Sequence, residues 1–256
     1  MIRKRVRFAS TLMLLVTVFN VYAGESTLGQ TQTNRPQKKE SLARKLLRFA
    51  GISASPTTLK GPGDEVTSGQ IWLADVASRK TRKLTASGGF RSPIFPQGSN
   101  DILALKGADI VRLPAAGGEP RKLYSIGGVL KLVGSSMDDP NQILLVTEDD
   151  SGRSGVSLLS VSTGKLAAIP FDPAASEDRE LIQHLQAWDR VYGNQSVYVK
   201  KQTKQSIAGP AEWTDVFLKV GASDPLNVSQ CDEVNCGQPS LSSDGRFVVF
   251  IKAGRE

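Results

Sequence analysis

Beyond residue 65 the chain alternates short apolar runs with turns rich in glycine, serine and aspartate. Apolar residues at every second position are typical of β-strands with one buried face. One unit, consisting of a strand, a turn and a second short strand, occurs four times, which indicates an internal repeat. The four copies are Gln70–Thr85, Asp109–Tyr124, Gly155–Pro170 and Thr214–Ser229. The pattern therefore predicts an all-β fold built from a repeated hairpin.

The spacing of these hairpins predicts the size of the repeating unit. Their closing apolar residues, Leu84, Leu123, Ile169 and Val228, are 39, 46 and 59 positions apart. The longest interval contains Ser176–Arg190, whose apolar residues fall on one face of a predicted inserted helix. Without that insertion all the intervals approach the period of about 40–45 residues that is typical of a four-stranded β-propeller blade.

A second kind of hairpin supplies the other two strands of each blade. It precedes the later units at Phe90–Leu105, Val129–Val146 and, more weakly, Val191–Val199, and it ends the chain at Gln238–Ile251. The chain thus begins with the outer half of a blade and stops after an inner half. Pairing of these N- and C-terminal strands would complete one composite blade and close a ring without exposed edges. We count four blades.

Two motifs resemble those of TolB-like, WD40-like propeller repeats. Gly237–Phe250 (GQPSLSSDGRFVVF) is similar to the inner-hairpin signature of that family, and Ile71–Thr85 (IWLADVASRKTRKLT) is similar to its outer half. The middle blades keep less of either motif. The resemblance implies a β-propeller, commonly with six blades, so a small ring of four, an overlooked blade and a truncated gene remain open.

The N-terminus predicts export. Residues 1–23 combine a basic start, a short apolar run and a small-residue cleavage site after Ala23, which is the pattern of a secretory signal peptide. An uncleaved N-terminal anchor is the alternative. Residues 24–61 form a basic flexible segment containing a predicted amphipathic helix at 41–50. Its cations Arg44, Lys45 and Arg48 either face water while the helix docks on the domain, or make weak contact with an anionic membrane surface.

The net charge of +7 does not belong to the predicted propeller domain, residues 62–256. The signal peptide carries four cations and no acid, and residues 24–61 carry seven cations and two acids, which leaves 21 cations and 23 acids for the domain. A nucleic-acid-binding domain needs a basic face on its folded body. We therefore expect no nucleic-acid partner.

Cys231 and Cys236 are the two cysteines of the chain. Such a close pair in an exported protein predicts a disulfide at the junction between the last outer strand and the composite blade. A redox role is the alternative, although the pair lacks the C-x-x-C spacing. The single histidine, His184, has no nearby residues in the sequence that would form a catalytic triad or a zinc site with it. The aspartates near Asp139, Asp149 and Asp244 lie where hairpin turns are expected.

These features predict an exported, periplasmic or secreted scaffold that binds a protein or another envelope component. We expect no catalytic residue, cofactor or metal site. An exported hydrolase or lyase acting in the central channel is the alternative, and it would require acids, arginine or tyrosine to converge there. A fragment of a larger propeller protein is a third interpretation.

Overall fold

The computed structural model describes residues 66–135, 139–170, 190–207 and 209–254. The chain divides into two compact units, Met1–Lys38 and Lys39–Glu256, and all described residues belong to the second. The predicted signal peptide, basic segment and helix at 41–50 lie outside the described residues. So does the predicted inserted helix, except that Arg190, its expected last residue, begins a strand. Within the described ranges, no helix is long and apolar enough to cross a membrane.

In these described ranges, sixteen strands form four antiparallel sheets of four strands each. We call the sheets blades I to IV; the strands of blades II, III and IV follow one another in sequence, whereas blade I is composite. Blade I contains β1 (Gln70–Asp75), β2 (Lys80–Lys83), β15 (Cys236–Leu241) and β16 (Phe247–Lys252). Blade II contains β3 (Phe90–Ile94), β4 (Asp101–Lys106), β5 (Asp109–Pro114) and β6 (Arg121–Ser125). Blade III contains β7 (Val129–Ser135), β8 (Gln142–Glu148), β9 (Ser154–Ser160) and β10 (Leu166–Ile169), and blade IV contains β11 (Arg190–Tyr192), β12 (Gln195–Ser206), β13 (Gly209–Val220) and β14 (Leu226–Asn227).

The composite blade joins the two ends of the described chain. Strand β16 pairs with β1 along its whole length, from Lys252 opposite Gln70 to Phe247 opposite Asp75. The strand order β15-β16-β1-β2 is the one that the complementary half-blades predict. Each of the four sheets is open. The terminal strands β16 and β1 pair with each other inside blade I.

In blades I, II and III, burial decreases from the strand at one edge of the sheet (β15, β3 and β7, called first strands) to the strand at the opposite edge (β2, β6 and β10, called fourth strands). All six residues of β15 are buried, whereas three of the four residues of β2 are exposed. This gradient is the one expected when the first strands lie at the centre of an assembly of blades and the fourth strands lie at its rim. The first strands β15, β3 and β7 also contain β-bulges where they pair with the second strands.

Among the described residues, apolar clusters connect neighbouring blades. The alternation along β16 explains two of them, because Val249 and Ile251 pack towards blade II while Val248 and Phe250 pack towards blade IV. A third cluster joins blades II and III around Leu105 and Leu145. Successive side chains of β16 thus pack against opposite neighbouring blades, as expected of a strand between two packed sheets.

A glutamine fastens the centre of blade I to blade II. The side-chain oxygen of Gln238 accepts a hydrogen bond from the Ser92 backbone N–H at 2.6 Å, and its amide nitrogen donates to the carbonyls of Val66 and Thr67. Both Gln238 and Ser92 have positive φ, 53° and 50°, at the bulges of their strands. Because non-glycine residues rarely adopt this conformation, the hydrogen bond between Ser92 and Gln238 stabilises a strained backbone.

Candidate functional site

Blade IV carries a hairpin that is much longer than its counterparts. Strands β12 and β13 have 12 residues each and pair from Gln195–Val220 to Ser206–Gly209. The equivalent strands of blade II have six residues and those of blade III have seven. Strand β11 pairs only with 195–197, and β14 pairs only with 217–218. We call residues 201–214, which extend past these short strands, the hairpin arm.

The length of the arm follows from strand geometry. At about 3.4 Å per residue, the roughly five residue pairs by which this hairpin exceeds those of the other blades extend it by about 17 Å. The extra part of β12 is Lys-Gln-Thr-Lys-Gln, which has no apolar face with which to form a core. Across the ribbon, the Lys201 ammonium and the Glu212 carboxylate form an ion pair of 2.5 Å. The β12 strand of the arm is therefore polar, whereas the β13 strand also contains Pro210, Ala211 and Trp213.

The tip of the arm presents an apolar side chain to solvent. Ile207 is fully exposed, with a relative exposure of 110%. Gly209, next to the tip on the second strand, has a φ of 114°, which side chains other than hydrogen rarely allow. A ribbon of two strands is marginally stable by itself in water, so its base needs support from the rest of the molecule.

The disulfide loop supplies that support. Cys231 and Cys236 are joined by a disulfide, with their Cα atoms 6.3 Å apart, in the connection between β14 and β15. Within this loop, Glu233 pairs with Lys204 of the arm at 3.2 Å. The side-chain oxygen of Asn235 accepts a hydrogen bond from the Thr214 backbone N–H at 3.0 Å. The small loop thus contacts both strands of the arm.

Thr214 also connects the arm directly to the disulfide. Its hydroxyl donates a 2.9 Å hydrogen bond to the carbonyl oxygen of Cys236, the first residue of the innermost strand of blade I. The loop itself contains three non-glycine residues with positive φ: Gln230, Asp232 and Glu233. Such a backbone persists only where its surroundings hold it, and here the disulfide and the contacts to the arm do so.

A buried carboxylate organises the base of the arm. Asp215, 3% exposed, accepts hydrogen bonds from four groups. The donors are the Trp213 indole N–H at 3.0 Å, the Asn227 side-chain amide at 3.0 Å, the Ser229 hydroxyl at 2.8 Å and the Cys231 backbone N–H at 2.7 Å. A carboxylate with all these donors is stable in a dry site, and it fixes β13, β14 and the start of the disulfide loop to one another.

Sequence reasoning did not single out Asp215. The only signal was an acid directly before the apolar stretch Val216–Leu218 of β13, and the partners of that acid lie up to 16 positions further along the chain. The predicted cysteine pair does belong to this site. His184 and the cations Arg44, Lys45 and Arg48 lie outside the described residues.

The predicted acidic turns use their carboxylates within the turns. Asp149 accepts hydrogen bonds from Ser151 and Arg153, and Asp244 accepts from the Ser242 hydroxyl at 2.6 Å. The hydrogen bond from the Ser151 hydroxyl has the largest effect and that from the Arg153 backbone N–H the next largest; together they hold the pKa of Asp149 below its usual range. In the described part of the chain, no group of three or more His, Cys, Asp or Glu residues could hold a metal ion.

Three of the four first strands carry one basic residue each, and none of the four carries an acid. They contain Arg91, Lys131 and Arg190. The guanidinium of Arg91 donates to the carbonyls of Gly107 at 3.2 Å and Val129 at 2.8 Å, so it links blades II and III, and its burial lowers its pKa. Because none of these four strands contains Asp or Glu, they do not supply the pair of carboxylates that glycoside hydrolysis requires.

Comparisons with known proteins give similar solved structures. No family model matches the chain, and no curated protein matches it. A TolB structure from Agrobacterium tumefaciens is similar with a TM-score of 0.35 and 17% identity, over 72% of this chain and 61% of that one. A TolB structure from Acinetobacter baumannii is similar with a TM-score of 0.33 and 13% identity, over 72% of this chain and 46% of that one. The chain therefore spans less than two thirds of the length of either structure. Both are TolB structures, and the two sequence motifs resemble TolB-like repeats.

Proposed function

We propose that this chain is an exported, non-catalytic β-propeller scaffold that binds a protein partner through the hairpin arm. The observation that carries the proposal is the fully exposed Ile207 at the end of a ribbon that extends past its blade. A single exposed apolar residue is ordinary on a protein surface. Here, however, the ribbon that displays it is held at its base by a disulfide, an ion pair and a buried carboxylate. Such reinforcement has a use when the tip must be presented in a fixed position.

The chemistry of the arm indicates the kind of surface that it fits. An isoleucine side chain that enters an apolar pocket of a partner contributes about 1.5–3 kcal/mol of burial. Both lysines of the arm already form ion pairs away from its tip, Lys201 with Glu212 across the ribbon and Lys204 with Glu233 of the disulfide loop. We infer that the partner offers an apolar pocket with a polar rim, which is the usual anatomy of a protein interface.

Export supports the proposal from a second direction. Disulfides persist in oxidising compartments, so the bond between Cys231 and Cys236 agrees with secretion to the periplasm or beyond. We propose that residues 1–23 direct export and are removed after Ala23. We further propose that the four blades form a closed ring, on which the arm is the projecting element. N-terminal sequencing of the exported protein tests the proposed cleavage, and the sequence obtained should begin at Gly24.

Photo-crosslinking in the native envelope tests the binding site. A photoreactive amino acid at position 207 should capture one partner repeatedly. The same amino acid at Val220, a 39% exposed position at the other end of β13, should not capture it. In an affinity measurement with the purified partner, Ile207→Asp should weaken binding about tenfold or more, while Ile207→Val should weaken it much less. Equal capture from both positions, or unchanged affinity of the Ile207→Asp protein, would reject the arm as the binding site.

A further inference from the structure

Blade III has an outer edge unlike those of blades I and II. Strand β2 carries Lys80, Arg82 and Lys83, and β6 carries Arg121 and Lys122. Charged residues of this kind keep edge strands from pairing with other chains. Strand β10 instead reads Leu-Ala-Ala-Ile, carries no charge and exposes Leu166 to 39%. An apolar, uncharged edge strand calls for a cover.

A groove lies beside this strand. Its volume is about 700 Å³, and its apolar lining includes Leu166, Ala168 and Ile169 of β10. The hairpin turn between β8 and β9 borders it with Glu148 and Asp149, and Asp150 follows in the same turn. Residues 148–153 carry three acids and one base, so this end of the groove is negatively charged. The groove thus combines an apolar floor with an acidic border.

The segment 41–50 of the same chain has the complementary pattern. It places Leu42, Leu46 and Phe49 at helical spacing and contains three cations and no acid. We propose that this segment docks in the groove of blade III as an amphipathic helix, with its apolar residues over β10 and its cations against Glu148 and Asp150.

The length of the tether permits this docking. Fifteen residues lie between Ala50 and Val66, the first described residue. They can span roughly 50 Å when extended, which exceeds the diameter of about 40 Å expected for a domain of this length. Because the tether holds the segment near the groove at high effective concentration, even a short helix with modest intrinsic affinity would remain bound. The docked helix would cover the edge of β10 and fix the point from which the preceding basic segment leaves the domain.

Cysteine crosslinking on the full chain tests the docking. The native cysteines are joined to each other, so introduced thiols are the ones that react. We expect Leu46→Cys combined with Ala168→Cys to give an intramolecular crosslink with a short bismaleimide. The matched control combines Leu46→Cys with Ala77→Cys, an exposed position in the β1–β2 turn. The groove pair should crosslink at least about tenfold faster than the control pair. Leu166→Cys offers a second groove position if Ala168→Cys disturbs folding.

Charge reversal provides an independent test of the docking. Changing Arg44, Lys45 and Arg48 to glutamate should abolish the preference for the groove, and adding Glu148→Lys with Asp150→Lys should restore much of it. Equal rates for the groove and control pairs would overturn the proposal. So would crosslinks found mainly between differently tagged copies, or a Leu46→Cys thiol that is shielded only by vesicles containing phosphatidylglycerol. Position 207 is not involved, so this result and the partner-binding result at the arm are separable.

Discussion

At the scale of single residues, Asp215 is the acid on which the described site depends most. It is buried, and four hydrogen bonds converge on it from β13, β14 and the disulfide loop. Asp215→Ala leaves these donors without an acceptor in a dry environment, where an unsatisfied polar group costs about 1–3 kcal/mol. We expect a loss of about 2–4 kcal/mol in the free energy of unfolding, measured by urea denaturation.

Two further variants make this prediction specific. Asp215→Asn keeps one carbonyl acceptor but introduces two donors among existing donors, so its loss should fall between those of wild type and Asp215→Ala. Asp224→Ala removes an exposed acid from the β13–β14 turn and should change stability by no more than about 0.5 kcal/mol. Losses of similar size for Asp215→Ala and Asp224→Ala would show that the buried carboxylate does not stabilise the base of the arm.

At the scale of elements, the disulfide loop and the hairpin arm form one mechanical unit. In the chain-entropy model, a disulfide that closes so short a loop stabilises a protein by only about 2 kcal/mol. Its larger local effect should be on the arm, because Glu233, Asn235 and Cys236 each contact the arm. In the Cys231→Ser, Cys236→Ser protein we expect faster hydrogen exchange of amides in 201–206, with β4 and β5 unchanged, as measured by mass spectrometry. Uniformly faster exchange in all blades, or none in the arm, would contradict this coupling.

Elements with a buried face were predictable from the sequence, and the arm was not. Strand β16 reads as a strand because Val249 and Ile251 alternate with Val248 and Phe250 in packing on two neighbouring blades. The strands of this hairpin were expected only up to Val199 and again from Thr214 onward, whereas β12 extends to Ser206 and β13 begins at Gly209. Residues of a ribbon that lies beyond the core have no reason to alternate apolar with polar, so the arm has no period-two signal. Its stability comes from contacts with a loop more than 20 positions away.

At the scale of the whole molecule, the composite blade makes the first and last strands of the described residues neighbours. Because Lys252 lies opposite Gln70 in the β16–β1 pair, the two halves of blade I meet without a covalent connection between them. A circular permutant in which a flexible linker of about ten Gly and Ser residues joins Gly254 to Val66 should keep all four sheets. Its new ends would lie between Gly117 and Gly118, in the turn from β5 to β6, where the backbone is not part of a strand.

We expect this permutant to unfold in one cooperative transition, at a urea midpoint equal to or above that of residues 66–254 in their native order. The linker shortens the search for the β16–β1 pairing, which otherwise brings together residues at opposite ends of the domain. A permutant opened between Leu144 and Leu145, inside the second strand of blade III, should fail to fold, because both residues are fully buried. If the first permutant is also unfolded, covalent order matters more than the β16–β1 pairing. If both fold equally well, the integrity of β8 is dispensable, and burial is a poor guide to where this propeller can be opened.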